Sequence, residues 1–178
     1  MTGINEYEEY LKEQDSLSLP FRVERLKFLV KNFGEPRHMA LPQMAYYYVE
    51  EAKLCYLNGA FVACVLIVQS ALEDILRNFC FIVPHGHKSV EYNFKDLIDG
   101  SFNRGAISEA EAISMHEIRQ LRNPYVHTKD MMHQKGFLIR CKESNFEKDE
   151  WDLMKEDAEK AIVCLFNLIK RFPFSYAT

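Results

Sequence analysis

The chain has 178 residues, of which 48% are hydrophobic and 27% charged, and a formal charge of −4. Enough apolar and aromatic surface is present to offset the entropy of ordering one core, so wholesale disorder is excluded. No run approaches the roughly 18 uninterrupted apolar residues of a membrane span. The opening residues, with Glu6, Glu8 and Glu9 among tyrosines, lack the basic-then-apolar order of a secretory signal. A cytoplasmic protein with no membrane partner is the expectation.

In chain order, residues 4–14 predict a short polar helix and residues 21–33 an amphipathic one, with Pro20 near the start of the second and Gly34 and Pro36 ending it. We read residues 1–40 as an N-terminal helical extension on a core of residues 41–178, the whole being one domain. Residues 41–57, rich in tyrosine, form a helix closed by the Asn58–Gly59 turn. From about Ala60 to Phe81 the apolar residues Phe61, Val65, Val68, Leu72, Ile75 and Phe79 repeat at spacings of four and three, which predicts a central helix broken by Pro84. A short helix over 94–102 follows. Another starts near Ser108, whose hydroxyl and the carboxylate of Glu111 have capping-box spacing. Residues 128–148 lack helical pattern, with Phe137–Ile139 as a short strand or extended loop. The last helix spans about 149–172, with Trp151, Met154, Ala158, Ala161, Leu165 and Leu168 as its core stripe; the acidic run from Glu143 to Glu159 reads as its solvated start. Short links between amphipathic helices favour antiparallel neighbours, so the predicted fold is all-α, an up-and-down bundle of four main helices plus the extension.

Five cysteines, Cys55, Cys64, Cys80, Cys141 and Cys164, are widely spaced with no Cys-x2-Cys pair, and read as reduced structural thiols. The group His85-Gly86-His87 with Cys80 and His38 matches no closed zinc framework and suits a turn; neither metal nor cofactor is expected. Tyr46, Tyr47 and Tyr48 point in different directions on a helix, which favours core or dimer packing over base stacking.

Charge is unevenly spread. From Arg119 to Lys142 the window sums to +5 and the rest of the chain to −9. A basic patch on an acidic protein is a focused anion site, with Arg119, Lys129 and Lys135 as candidate RNA or phosphate contacts, rather than a general nucleic-acid surface. Within the window, Pro124 lacks an N–H and disfavours helix at Asn123, whereas Asn and Pro suit an N-cap and a first helical residue. We therefore expect Arg122 to end one helix, Asn123 to cap the next, and His127 to stand near the second helix's positive end. An arginine that grips phosphate through two N–H groups, beside a histidine that transfers protons near neutral pH, suffices for metal-free cleavage of RNA by its own 2′-OH. Gln69 and Glu73, four apart on the central helix, share a face; Glu73 is expected either to orient Arg122 or His127 or to pair with Arg77.

Arg122-Asn123-Pro124-Tyr125-Val126-His127 resembles the Arg-x4–6-His motif of the HEPN superfamily (higher eukaryotes and prokaryotes nucleotide-binding domains). The stretch Tyr48 to Arg77, with Gly59-Ala60-Phe61 opening a helix that carries Ala71-Leu72-Glu73, is similar to that family's first long helical hairpin. The resemblance implies a homodimer in which two Arg122/His127 pairs form a metal-independent endoribonuclease site, in toxin–antitoxin, abortive-infection or related defence systems. It also implies an antitoxin or nucleotidyltransferase as possible partner. One toxin subgroup has Tyr two residues after the His; Lys129 stands there instead. A non-catalytic module that binds nucleotide, RNA or protein is the alternative, and a purely structural oligomer a third.

Overall fold

The tight turn after residue 58 sets the architecture. In the computed structural model, which describes residues 3–34, 41–80, 92–126 and 137–171, helix α2 (Gln43–Asn58) ends on Gly59 in the left-handed conformation, φ +80°. The Gly59 N–H donates to the Tyr56 carbonyl at 3.0 Å and the Ala60 N–H to that of Cys55 at 2.8 Å, which reverses the chain into α3 (Phe61–Ile75). At the far end of the hairpin, Pro42 has no side-chain oxygen to cap α2, and the Asp74 carboxylate of α3 does so, accepting from the Ala45 N–H at 3.1 Å. The two helices are thereby locked antiparallel at both ends.

α3 behaves as its spacing predicts. Phe61, Val65, Val68, Leu72 and Ile75 are each buried, and the helix widens into a π turn over Leu76–Cys80. The side chain of Phe79 lies outside the described residues. The remaining elements are α1 (Gly3–Phe33), α4 (Phe94–Asn103), α5 (Glu109–Val126), α6 (Phe137–Glu143) and α7 (Glu150–Arg171). Helices α2, α3, α5 and α7 pack around one hydrophobic core in an all-α bundle; α3 lies against both α5 and α7. No strand occurs among the described residues.

The predicted capping box is present: the Glu111 N–H donates to Ser108 Oγ at 3.3 Å, and the Ser108 N–H donates back to Glu111 Oε2 at 2.6 Å. On α7, Ala158, Ala161, Leu165 and Leu168 are buried as expected, but Trp151 is half exposed and meets Phe61 edge-on, with ring centroids 5.0 Å apart. Cys55, Cys64, Cys141 and Cys164 are free thiols. Burial raises the pKa of Cys164 to about 12, helped by Glu111 and Glu117, so it is an inert core thiol at neutral pH.

Two expectations fail here. Residues 4–14 and 21–33 are parts of one 31-residue helix, α1, which runs through Pro20. Proline deprives the carbonyl one turn back of its donor. That carbonyl belongs to exposed Ser16, where water can replace the missing bond, so the break is not enforced. Residues 137–143 are helix α6 rather than strand or loop. The short apolar run is one turn with a polar continuation, and its pattern alone does not separate the two outcomes.

α1 is pinned by Arg25, whose Nη1 donates to the Leu57 carbonyl at 3.0 Å while its guanidinium stacks over Phe61, 5.3 Å from the ring centroid. A Cβ on Gly59 would lie 3.1 Å from Arg25 Nη1 as well as requiring a positive φ. Gly59→Ala should therefore destabilise the fold by about 1–2 kcal/mol from backbone strain alone, read as a lower urea midpoint with an unchanged slope.

Candidate functional site

Arg122 and Asn123 stand inside α5, not at a junction. The helix continues through Pro124 to Val126, so Asn123 caps nothing and the expected second N-terminus does not exist. His127 itself, with Lys129, Asp130, Lys135 and the His38 and His85–His87 positions, lies outside the described residues.

An interior proline disfavours a helix by about 3 kcal/mol, and the contacts of its neighbours offset this. Leu121 and Tyr125 pack against the core. The Tyr125 hydroxyl donates to Asp157 Oδ2 at 2.8 Å, and Asp157, on α7, is fully buried. Arg140 of α6 grips the same carboxylate with both terminal nitrogens, at 2.7 and 2.6 Å. One buried charge is thus met by a two-pronged counter-ion and a neutral donor, the arrangement that makes a carboxylate tolerable in a core. Burial, then the charge of Asp157 and its hydrogen bond, push the Tyr125 phenol well above its usual range. For Arg140, burial alone would lower the pKa, but the hydrogen bonds and charge of Asp157 outweigh it and raise it.

This triad changes the electrostatics of the basic window. Arg140 is committed to Asp157 and no longer available to an anion. Arg119 and Arg122 remain on α5, three residues apart and hence on neighbouring positions of one side. Both are half-buried. Arg119 has its Nε buried with no hydrogen-bond partner. Arg122 forms no ion pair or hydrogen bond among the described residues.

Gln69 and Glu73 do share a face of α3, as the spacing predicts, but the pair is closed on itself: Gln69 Nε2 donates to Glu73 Oε1 at 2.6 Å. Glu73 bonds neither Arg122 nor Arg77, whose guanidinium donates to the Tyr92 carbonyl at 3.3 Å instead. Gln69 is 5% exposed and keeps its Oε1 buried without a partner. Among the tyrosines, Tyr48 packs on the core while Tyr46 and Tyr47 are exposed, edge to face at 5.9 Å.

A cleft of about 330 Å³ lies between α1, α5 and α7, walled by Phe28, Glu117, Ile118, Glu159, Lys160 and Cys164 among others. None of the predicted site residues lines it. No group of three metal-binding side chains occurs among the described residues.

Sequence reasoning missed Asp157, which it placed in a solvated acidic run. The signal was available: Asp157 stands four residues after Leu153 and four before Ala161, on the apolar stripe of α7, where a carboxylate requires a partner. Glu159, in the same run, accepts the hydroxyl of fully buried Tyr56 at 2.7 Å. Compared with family models, curated proteins and solved structures, the chain matches none.

Removing one member of the triad leaves the others buried and unmatched. Asp157→Asn should destabilise the protein by about 3–5 kcal/mol, and Tyr125→Phe by about 1–2 kcal/mol, seen as graded falls in thermal midpoint. Because the Tyr125 phenol is harder to ionise folded than unfolded, its contribution is whole below about pH 10 and is lost as pH rises toward the folded value. In spectrophotometric titration, wild type and Tyr125→Phe should release the same number of tyrosine protons up to about pH 11, short of unfolding.

Proposed function

We propose that the chain is a metal-independent endoribonuclease of the HEPN type, with Arg122 and His127 from two subunits forming the site. The observation that carries this reading is the state of Arg122. The basic window holds Arg140, which a buried carboxylate neutralises, and Arg122, a half-buried guanidinium with no carboxylate against it among the described residues. An unneutralised arginine on a rigid helix end is suited to hold a phosphodiester and stabilise the charge that builds on it.

In this reading the substrate's ribose 2′-OH attacks the adjacent phosphorus. The bond to the 5′-oxygen breaks, and a 2′,3′-cyclic phosphate and a free 5′-hydroxyl result. In this reading His127 is the proton donor to the leaving 5′-oxygen. Arg119, one turn earlier, extends the cationic side of α5 toward a neighbouring phosphate; Lys129 and Lys135 would add to it. Gln69 donates to Glu73, and Asn123 stands mid-helix, so this reading gives none of the three a proton-transfer role.

The same pair of arginines also favours a second reading, a module that binds nucleotide, RNA or an acidic protein partner without turnover. Incubation with mixed RNA in EDTA separates the two. Wild type should generate 2′,3′-cyclic phosphate ends; His127→Ala should lose about 10²–10⁴-fold in rate and Arg122→Ala about 10²–10³-fold, with helical content unchanged. Retained cleavage by cleanly prepared His127→Ala would sink the enzyme. Stoichiometric RNA binding with no cleavage, weakened by Arg122→Ala and indifferent to His127→Ala, would establish the binding module.

A further inference from the structure

The first half of α1 reaches past the bundle. Residues 5–17 are all exposed, and their ion pairs, Lys12 with Glu8 and Asp15 with Arg22, stay within the helix. Yet Tyr7, Tyr10, Leu11, Leu17 and Phe21 expose 74, 58, 62, 61 and 64% of their surfaces. At about 100° per residue these five fall on one side of the helix, with Gln14 at its middle. That side is the one which, further along, turns Arg25, Phe28 and Leu29 onto the bundle. The arm is the core-facing side of α1 continued for about 20 Å beyond the core.

Three aromatic rings and two leucines at this exposure approach the ~800 Å² per partner that a stable interface buries. They exceed what a monomer normally leaves to water. The pattern identifies the occupant: about Gln14 the apolar residues are symmetrically spaced, Tyr7 and Phe21 outside and Leu11 and Leu17 inside, so the side is complementary to itself when reversed. Residues 5–16 are an acidic half, with Glu6, Glu8, Glu9, Glu13 and Asp15 against Lys12 alone, and reversal brings its Glu6 and Glu8 beside the other copy's Arg22.

We propose that a second copy of this chain covers the arm, the two α1 helices running antiparallel about a two-fold axis at Gln14. In that register Tyr7 faces the second copy's Phe21 and Leu11 its Leu17, while the acidic turn Glu6–Glu9 comes beside its Arg22. A parallel pair would stack acidic half on acidic half. The cleft between α1, α5 and α7 is a poorer receptor for the arm, because Glu117 and Glu159 on its walls repel the acidic half. This interface does not depend on the ribonuclease reading, since none of its residues belongs to the Arg122 motif.

Sedimentation of the full chain at micromolar concentration tests it. Leu11→Glu combined with Leu17→Glu should halve the mass of the wild-type assembly with unchanged helical circular dichroism, because both residues are exposed in the single chain and lie apart from the Arg122 face. Leu26→Glu, on a separate exposed stripe with Leu19, Val23 and Val30 centred about 150° round the helix, should keep the wild-type mass. A monomeric wild type, or an assembly whose mass the double substitution leaves unchanged, overturns the proposal. For the register, a mixture of Tyr7→Cys and Phe21→Cys chains should form a 7-to-21 disulfide under mild oxidation; its absence, or self-linking by Tyr7→Cys alone, overturns the antiparallel arrangement.

Discussion

The carboxylate of Asp157 is the constraint on which this end of the bundle depends. A charge with no exposed surface must be matched on the spot, and the match is drawn from two other helices: Arg140 of α6 supplies both nitrogens of its fork and Tyr125 of α5 its hydroxyl. Three helices are thereby tied at one point. The last turn of α5 is the most affected. It contains a proline, which opposes helix, and a tyrosine whose hydrogen bond exists only if the helix continues. The helix continues because a satisfied buried charge is worth more than one lost backbone bond.

The same economy of polar groups recurs elsewhere. Asp74 caps the start of α2 from the neighbouring helix, Arg25 satisfies a carbonyl at its end, and Glu159 receives the hydroxyl of buried Tyr56. Most charged side chains near the core are thus spent on structure. Arg122 is not, and its contrast with Arg140 separates a structural cation from one open to a ligand. Gln69 and Glu73, four apart on one helix, bond to each other rather than to α5.

Surface character divides along the same axis. The bundle closes its own core, but α1 carries that core's pattern beyond the last residue able to meet it. The two proposals, a reversed copy on the α1 arm and a phosphate on Arg122, rest on different residues, so one can fail without the other.

Much of the fold was legible in the chain. The four-and-three spacing of Phe61, Val65, Val68, Leu72 and Ile75 marks a central helix whatever packs on it, because that periodicity brings one stripe to one side. Asn58–Gly59 and the Ser108/Glu111 box act within a few residues and hold for the same local reason. The Arg122 motif was also legible as a run of residue types. Its setting was not. Local propensity breaks the chain at Asn123–Pro124 and at Pro20; the structure breaks it at neither, since in one case a hydrogen bond 32 residues away in sequence stabilises the helix and in the other the freed carbonyl faces solvent. The acidic run concealed Asp157 for a related reason: neighbours along the chain made it look solvated, and only the register of α7 against α5 and α6 buries it. The sequence by itself determined which segments are helical and which residue types share a face. The tertiary structure alone decided which charges are spent and which stay free, because that depends on partners that are distant in the chain.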